Sequence, residues 1–185
     1  MKLTNLFESD LIGKTISLTT YKISDKNPSK SVPVTKLIKV TSKTSTLTYD
    51  GDFDCFGLKL TSLKGTPASI KGDLICSDNL LTSFENCTPI IDGCIFADNN
   101  KFTSLKDIHK NFKEIKGEIH LTGNPIKSHV LGLLLIPGEL TYIGLDDKRL
   151  QDILLKHIPN TTGNKGVLAC QNALLDAGFD DFAQI

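Results

Sequence analysis

Apolar residues recur in a fixed phase through the middle of the chain. Leu74-x-Cys76-x-x-Asn79-x-Leu81, Ile95-x-Ala97-x-x-Asn100-x-Phe102 and Ile119-x-Leu121-x-x-Asn124-x-Ile126 are three copies of one pattern. Each copy follows a glycine, and Gly51, Gly72, Gly93, Gly117 and Gly138 open units at spacings of 21, 21, 24 and 21 residues. The outer units, Phe53-x-Cys55-x-x-Leu58-x-Leu60 and Leu140-x-Tyr142-x-x-Leu145, keep the apolar spacing but place leucine where the others have asparagine. Terminal repeats are commonly atypical because they close the stack. A Thr-Ser-apolar step also recurs, as Thr61-Ser62-Leu63, Thr82-Ser83-Phe84 and Thr103-Ser104-Leu105.

Units of this length and pattern are leucine-rich repeats. The expected fold class is an α/β repeat solenoid: a leucine-rich repeat body over 51–145 with about five parallel rungs, an N-terminal β cap over 1–50 and a C-terminal helical cap over 146–185. In the first cap, the β-branched stretches Thr15–Tyr21 and Leu37–Thr41 predict strands, and Asp25-Lys26-Asn27-Pro28-Ser29 between them predicts a turn. In the last, Leu150, Ile153, Leu154 and Ile158, then Val167, Leu168, Leu174 and Leu175, fall at helical spacing, with Gly178 as a stop and Phe179 and Phe182 in a final turn. The extra residues of the longer unit predict a helical turn around Asp107–Asn111. Ser128 to Leu135 reads as a short helix or buried turn with Ser128 as its N-cap.

Asn79, Asn100 and Asn124 stand where each strand turns away, a place for a buried amide that bonds backbone groups of neighbouring rungs. The five cysteines include no CxxC pair, and Cys55 and Cys76 fill the same inward slot, so they are expected to be reduced core thiols in a cytoplasmic protein. Met1–Asp10 reach Glu8 and Asp10 before any long apolar stretch, unlike a secretory signal. The strongly apolar run Val130–Ile136 is too short to span a bilayer.

The net charge is zero but unevenly spread. Residues 1–49 hold eight lysines against three carboxylates, a balance of +5, and residues 50–100 hold three lysines against eight carboxylates, a balance of −5. The early lysines lie among serine and threonine without clustered arginines and read as a solubilising surface, so direct nucleic-acid binding is not expected.

No phosphate loop, GxGxxG or G-x-S-x-G motif occurs. His109, His120, His129 and His157 lack metal-ligand spacing, so no cofactor, metal or catalytic group is expected, although His120 is within reach of Glu118. The informative surface is the outward strand face. Alternation places Asp52, Asp73, Cys94, Glu118 and Glu139 in one column, Asp54, Ile75, Phe96, His120 and Thr141 in the next, and Phe56, Ser77, Asp98, Thr122 and Ile143 in a third, with no lysine or arginine among them. Carboxylates stacked about 4.8 Å apart repel by about 1 kcal/mol per pair in water, a cost the core does not require. Ile75, Phe96 and Phe56 form an apolar island in that field, a common mark of a partner site. The expected partner-binding residues are Asp52, Asp54, Phe56, Asp73, Ile75, Phe96, Asp98, Glu118, His120 and Glu139. The plainer alternative is a solvated acidic face whose aromatics are covered.

Together with the closing segment Cys170-Gln171-Asn172-Ala173-Leu174-Leu175-Asp176-Ala177-Gly178, the repeats resemble leucine-rich repeat proteins encoded by tailed bacteriophages. That resemblance implies a bacterial host cytoplasm and no general activity. The Thr-Ser-Leu steps are also similar to those of bacterial leucine-rich repeat effectors with a ubiquitin-ligase domain, but the helical tail is too small for one. The leading expectation is a noncatalytic module that binds a host protein, for instance a defence protein, and inhibits or redirects it. A virion component and an acidic mimic of nucleic acid are the alternatives.

Overall fold

The computed structural model describes residues 11–24, 27–41, 43–158 and 164–185. Met1–Asp10 and the predicted turn residues Asp25 and Lys26 lie outside the described residues. The strands are β1 (Thr15–Ser24), β2 (Asn27–Lys39), β3 (Thr48–Tyr49), β4 (Asp52–Asp54), β5 (Ser69–Ile70), β6 (Leu74–Ile75), β7 (Ile90–Ile91), β8 (Ile95–Phe96), β9 (Glu114–Ile115), β10 (Glu118–His120) and β11 (Tyr142–Gly144). The helices are α1 (Lys148–His157) and α2 (Asn164–Asp176).

The chain winds as a parallel-strand β-solenoid of about four turns, with two short helices at its C-terminal end. Two sheets form its walls. One runs β11-β10-β8-β6-β4-β1-β2 and the other β3-β5-β7-β9. Pairing within the coils is parallel and in register, with Leu74 beside Phe53 and Ile95 beside Leu74. β1 instead pairs antiparallel with β4, through Ser17–Asp54, Leu18–Phe53 and Thr19–Asp52, and the β1–β2 hairpin extends the first sheet.

Each strand is short because the sequence turns the chain at both ends. After the strand, Gly57, Asp78, Asn99 and Gly123 all adopt positive φ, between 53° and 74°, a conformation that glycine, asparagine and aspartate tolerate best. Before it, glycine is needed for close approach: a Cβ on Gly93 would lie 2.6 Å from the Gly72 carbonyl oxygen of the preceding coil. The Thr-Ser-apolar steps are side-chain turns in which Ser62, Ser83 and Ser104 accept from the N–H two residues on. Each such turn delivers Leu63, Phe84 or Leu105 into the core.

The interior is a stack of aligned apolar columns. Phe53, Leu74, Ile95, Ile119 and Ile143 are each fully buried, as are Ile70, Ile91 and Ile115 on the facing wall. Burying a side chain of this size contributes about 1.5–3 kcal/mol. Phe84 joins coils, stacking on Phe102 with ring centroids 4.7 Å apart and meeting the edge of Phe112. Between the columns run the asparagines. Asn100 Oδ1 accepts the Leu81 N–H, while its amide donates to the carbonyls of Cys76, Ala97 and Asp98. Asn79 and Asn124 do the same one coil earlier and later, so the asparagine column knits successive coils.

Several expectations need correction. Asn27, Pro28 and Ser29 belong to β2 rather than to a turn; an edge strand tolerates proline, whose missing N–H costs no ladder bond. Ser128 caps no helix: a 3-10 helix spans Leu131–Leu135 after Val130, and Ser128 Oγ bonds His129 Nδ1 instead. Asp147 is the cap of α1, accepting the Leu150 N–H. Leu168 and Leu175 are exposed, so the buried face of α2 is Val167, Cys170 and Leu174. The helical turn expected near Asp107 is present as a 3-10 helix over Ile108–Asn111.

The largest correction concerns the fifth unit. Its strand pairs Glu118 with Tyr142, Ile119 with Ile143 and His120 with Gly144. Gly138 therefore does not open the rung; it bridges Ile115 on the second wall, and Thr141 takes the place of the corner glycine, donating to the Gly117 carbonyl. The reason lies in the core, since Ile143 and Leu145 are the buried pair matching Ile119 and Leu121. Ile143 thus points inward and Thr141 leaves the outward column.

Candidate functional face

The outward face of the seven-stranded sheet carries two rows, fixed by strand register. One reads Thr35, Thr19, Asp52, Asp73, Cys94, Glu118 and Tyr142; the other reads Leu37, Ser17, Asp54, Ile75, Phe96, His120 and Gly144. The structure brings Asp52, Asp54, Asp73, Ile75, Phe96, Glu118 and His120 together on this face. Phe56 and Asp98 sit beside it, in the turns that follow the strands.

Glu139 is not there. It occupies the corner after the second wall, in register with Asp50, Lys71, Asp92 and Lys116, and its N–H donates to the Ile115 carbonyl. It also lines an apolar cavity of about 350 Å³ with Leu133, Leu134, Ile136, Leu140 and Ile158. The 21-residue phase assigned it to the wrong column.

The acidic residues are tied into the backbone, contrary to the expectation that folding has no use for them. Asp52 Oδ1 accepts the Asp73 N–H at 2.9 Å, and Asp73 Oδ1 accepts the Cys94 N–H at 2.8 Å. Cys94 continues the ladder with its sulfur, which the Glu118 N–H approaches at 3.4 Å. Lower on the face, Asp98 Oδ1 accepts the Thr122 N–H and Asp146 holds the Gly123 N–H. Asp54 closes a local turn by accepting the Phe56 N–H. Ser77 is buried and shares this work, its hydroxyl accepting the Asp98 N–H.

Burial pushes the Asp73 carboxyl above the usual carboxylate range. The bonded Cys94 N–H opposes that rise, while Asp52 and Glu118 add to it. Burial likewise raises the Cys94 thiol. Asp52, Asp73 and Glu118 therefore form one electrostatic group.

Next to them is an aromatic stack. The Phe96 and His120 rings lie 4.8 Å apart and nearly parallel at 21°, and Tyr142 tilts onto His120 at 5.4 Å. His120 Nε2 meets Glu118 Oε2 at 2.8 Å, joining the stack to the acidic row. The Tyr142 hydroxyl is fixed in turn by the Gln151 amide of α1, which donates to it and accepts the Leu145 N–H. Phe96 and His120 are each half-buried.

Sequence reasoning missed Tyr142 and Leu37. Phasing the last unit on its inward pair, Ile143 and Leu145, places Tyr142 outward. Leu37 is 68% exposed, and the register Leu37–Ser17–Asp54 puts it on the same face; long-range pairing of this kind leaves no mark in local sequence.

All five cysteines are free, and burial raises the Cys55 and Cys76 thiols well above their usual value. Among the described residues no helix is long and apolar enough to cross a membrane, and no three His, Cys, Asp or Glu side chains are placed to hold a metal ion. No protein-family model, curated protein or solved structure matches this chain.

Proposed function

We propose that this chain is a noncatalytic protein-binding module of the leucine-rich repeat type, with the β1–β2 hairpin and the C-terminal helices as its caps. Following the resemblance in its repeats and tail, we assign it to a tailed bacteriophage, acting in the host cytoplasm on a host protein, such as a defence protein, that it inhibits or redirects. One observation carries the binding assignment: an apolar and aromatic row of Ile75, Phe96 and His120 runs directly beside the carboxylates Asp52, Asp73 and Glu118 on a continuous sheet face. Exposed apolar surface rimmed by polar groups is the usual form of a protein interface. The acidic-mimic reading fits less well, because aromatic rings interrupt the charge and Asp52 and Asp73 serve the backbone ladder.

The test is quantitative capture from host lysate followed by mass spectrometry. Ile75→Asp or Phe96→Asp is expected to remove the partner retained by the parent chain while thermal unfolding stays cooperative. Capture unchanged in both variants would remove this face from consideration. Abundant recovery in purified particles would favour the virion reading instead.

A further inference from the structure

The partner's chemistry follows from the spacing of the two rows, and this step rests on the binding face just proposed. Residues two apart on a strand are separated by about 7 Å, so Ile75, Phe96 and His120 lie side by side with Asp73, Cys94 and Glu118 on β6, β8 and β10. Seven strands at about 4.8 Å give the face a length of roughly 29 Å from Leu37 to the Gly144 strand. An occupant wide enough to cover Ile75 and Phe96 must also cover Asp52, Asp73 and Glu118. Removing carboxylates from water without a counter-charge is strongly unfavourable. The fourteen positions of the two rows contain four carboxylates and no lysine or arginine; Lys39, two residues past Leu37 on the outward side of β2, lies at the hairpin edge, two strands from Asp54. His120 is the one basic side chain in the rows, and it is spent on Glu118.

We propose that the face receives a basic amphipathic segment of a partner protein. In this arrangement its apolar side chains seat along Leu37, Ile75, Phe96 and the His120 ring, and its arginine or lysine side chains meet Asp52, Asp54, Asp73 and Glu118. Like charges would exclude an anionic segment or a membrane surface rich in acidic lipids. The hairpin extends the footprint beyond the coils, because Leu37, the most exposed large apolar side chain among the described residues, lies in line with the apolar row.

The experiment is a titration of the isotope-labelled full chain with three twelve-residue peptides, alternating arginine with leucine, glutamate with leucine, and arginine with serine, followed by NMR. The arginine–leucine peptide is expected to shift the amides of both rows saturably and to bind at least tenfold more tightly than either of the others. Its affinity should fall about tenfold between about 50 mM and about 500 mM salt, as the screening length shortens from more than about 10 Å toward about 4 Å. Asp52→Asn, Asp73→Asn and Glu118→Gln combined should weaken it about tenfold, and the new amides at 52 and 73 retain an oxygen for the backbone N–H. Equal binding of the glutamate peptide, shifts confined to other surfaces, or self-association of the chain through this face would overturn the proposal. If Phe96→Asp abolishes lysate capture while the triple neutralisation leaves it intact, the binding face stands and the basic-segment assignment falls.

Discussion

Two neighbouring columns of the solenoid treat charge in opposite ways. At the corner, Asp50, Lys71, Asp92, Lys116 and Glu139 follow one another in alternating sign, and Asp92 is gripped by Lys71 at 2.8 Å and by Lys116 at 2.9 Å. Two residues farther along each coil, Asp52, Asp73 and Glu118 stack with no cation between them. Both columns have the same rung spacing and face solvent. The coil can therefore pair its charges, and does so at the corner; on the strand face Asp52 and Asp73 hold backbone N–H groups with no lysine or arginine beside them, and Glu118 is bonded only to His120. That contrast is why we propose the face, rather than the corner, as the binding surface.

The comparison depends on coils in strict register, which gives the largest expected effect. Asn100→Ala would orphan the buried Leu81 N–H and remove one of two donors from each of the Cys76, Ala97 and Asp98 carbonyls, which keep their bonds from Asn79, Asn124 and the Asp78 N–H. At about 1–3 kcal/mol for the one unsatisfied donor, and less for each carbonyl left with a single bond, the loss should be about 3 kcal/mol in urea unfolding. Next comes Asp73→Ala, which removes the acceptor of the Cys94 N–H at a half-buried site and should cost about 1–2 kcal/mol.

Smaller effects separate the columns by sign. Hydrogen bonds from Lys71 and Lys116 hold the Asp92 carboxyl below its usual range. That stability is present above the unfolded carboxylate value and is lost as pH falls through the depressed one, so acid titration of unfolding should show it. Asp92→Asn should destabilise by about 1 kcal/mol or less, as expected of an exposed pair, and high salt should shrink the difference. Asp73 behaves oppositely. Burial raises its folded value, so its contribution is most favourable at low pH and is lost as pH rises from the ordinary carboxylate range through the raised one. Asp73→Asn should leave stability at neutral pH unchanged or raised by no more than about 1 kcal/mol, the scale of one like-charge pair in water. A clear loss on Asp73→Asn, matching that of Asp73→Ala, would erase the distinction between the columns.

Much of the fold was legible because a solenoid writes its core periodically. The inward columns, the asparagine positions and the outward placement of Asp52, Asp73, Ile75, Phe96, Glu118 and His120 all follow from one phase. That phase failed where the chain changed its corner. Gly138 looks like the other opening glycines, yet Thr141 fills the slot, and the error moved Glu139 onto the face and hid Tyr142. The hydrogen bonds of Asp52 and Asp73 were not legible either, since a carboxylate reaching the next coil's N–H requires knowing which backbone groups the short strands leave free. Leu37 entered the face only through the antiparallel register Leu37–Ser17–Asp54, in which Ser17 meets residues twenty and thirty-seven positions away, separations that leave no periodic signal in local pattern.

The most direct measurement is partner capture by two triple variants examined side by side with the parent chain. Neutralising the face with Asp52→Asn, Asp73→Asn and Glu118→Gln should reduce the retained partner about tenfold, while neutralising the corner with Lys71→Ser, Asp92→Ser and Lys116→Ser should leave it unchanged. Retention that survives the face variant and disappears with the corner variant would contradict the assignment of the strand face as the binding surface.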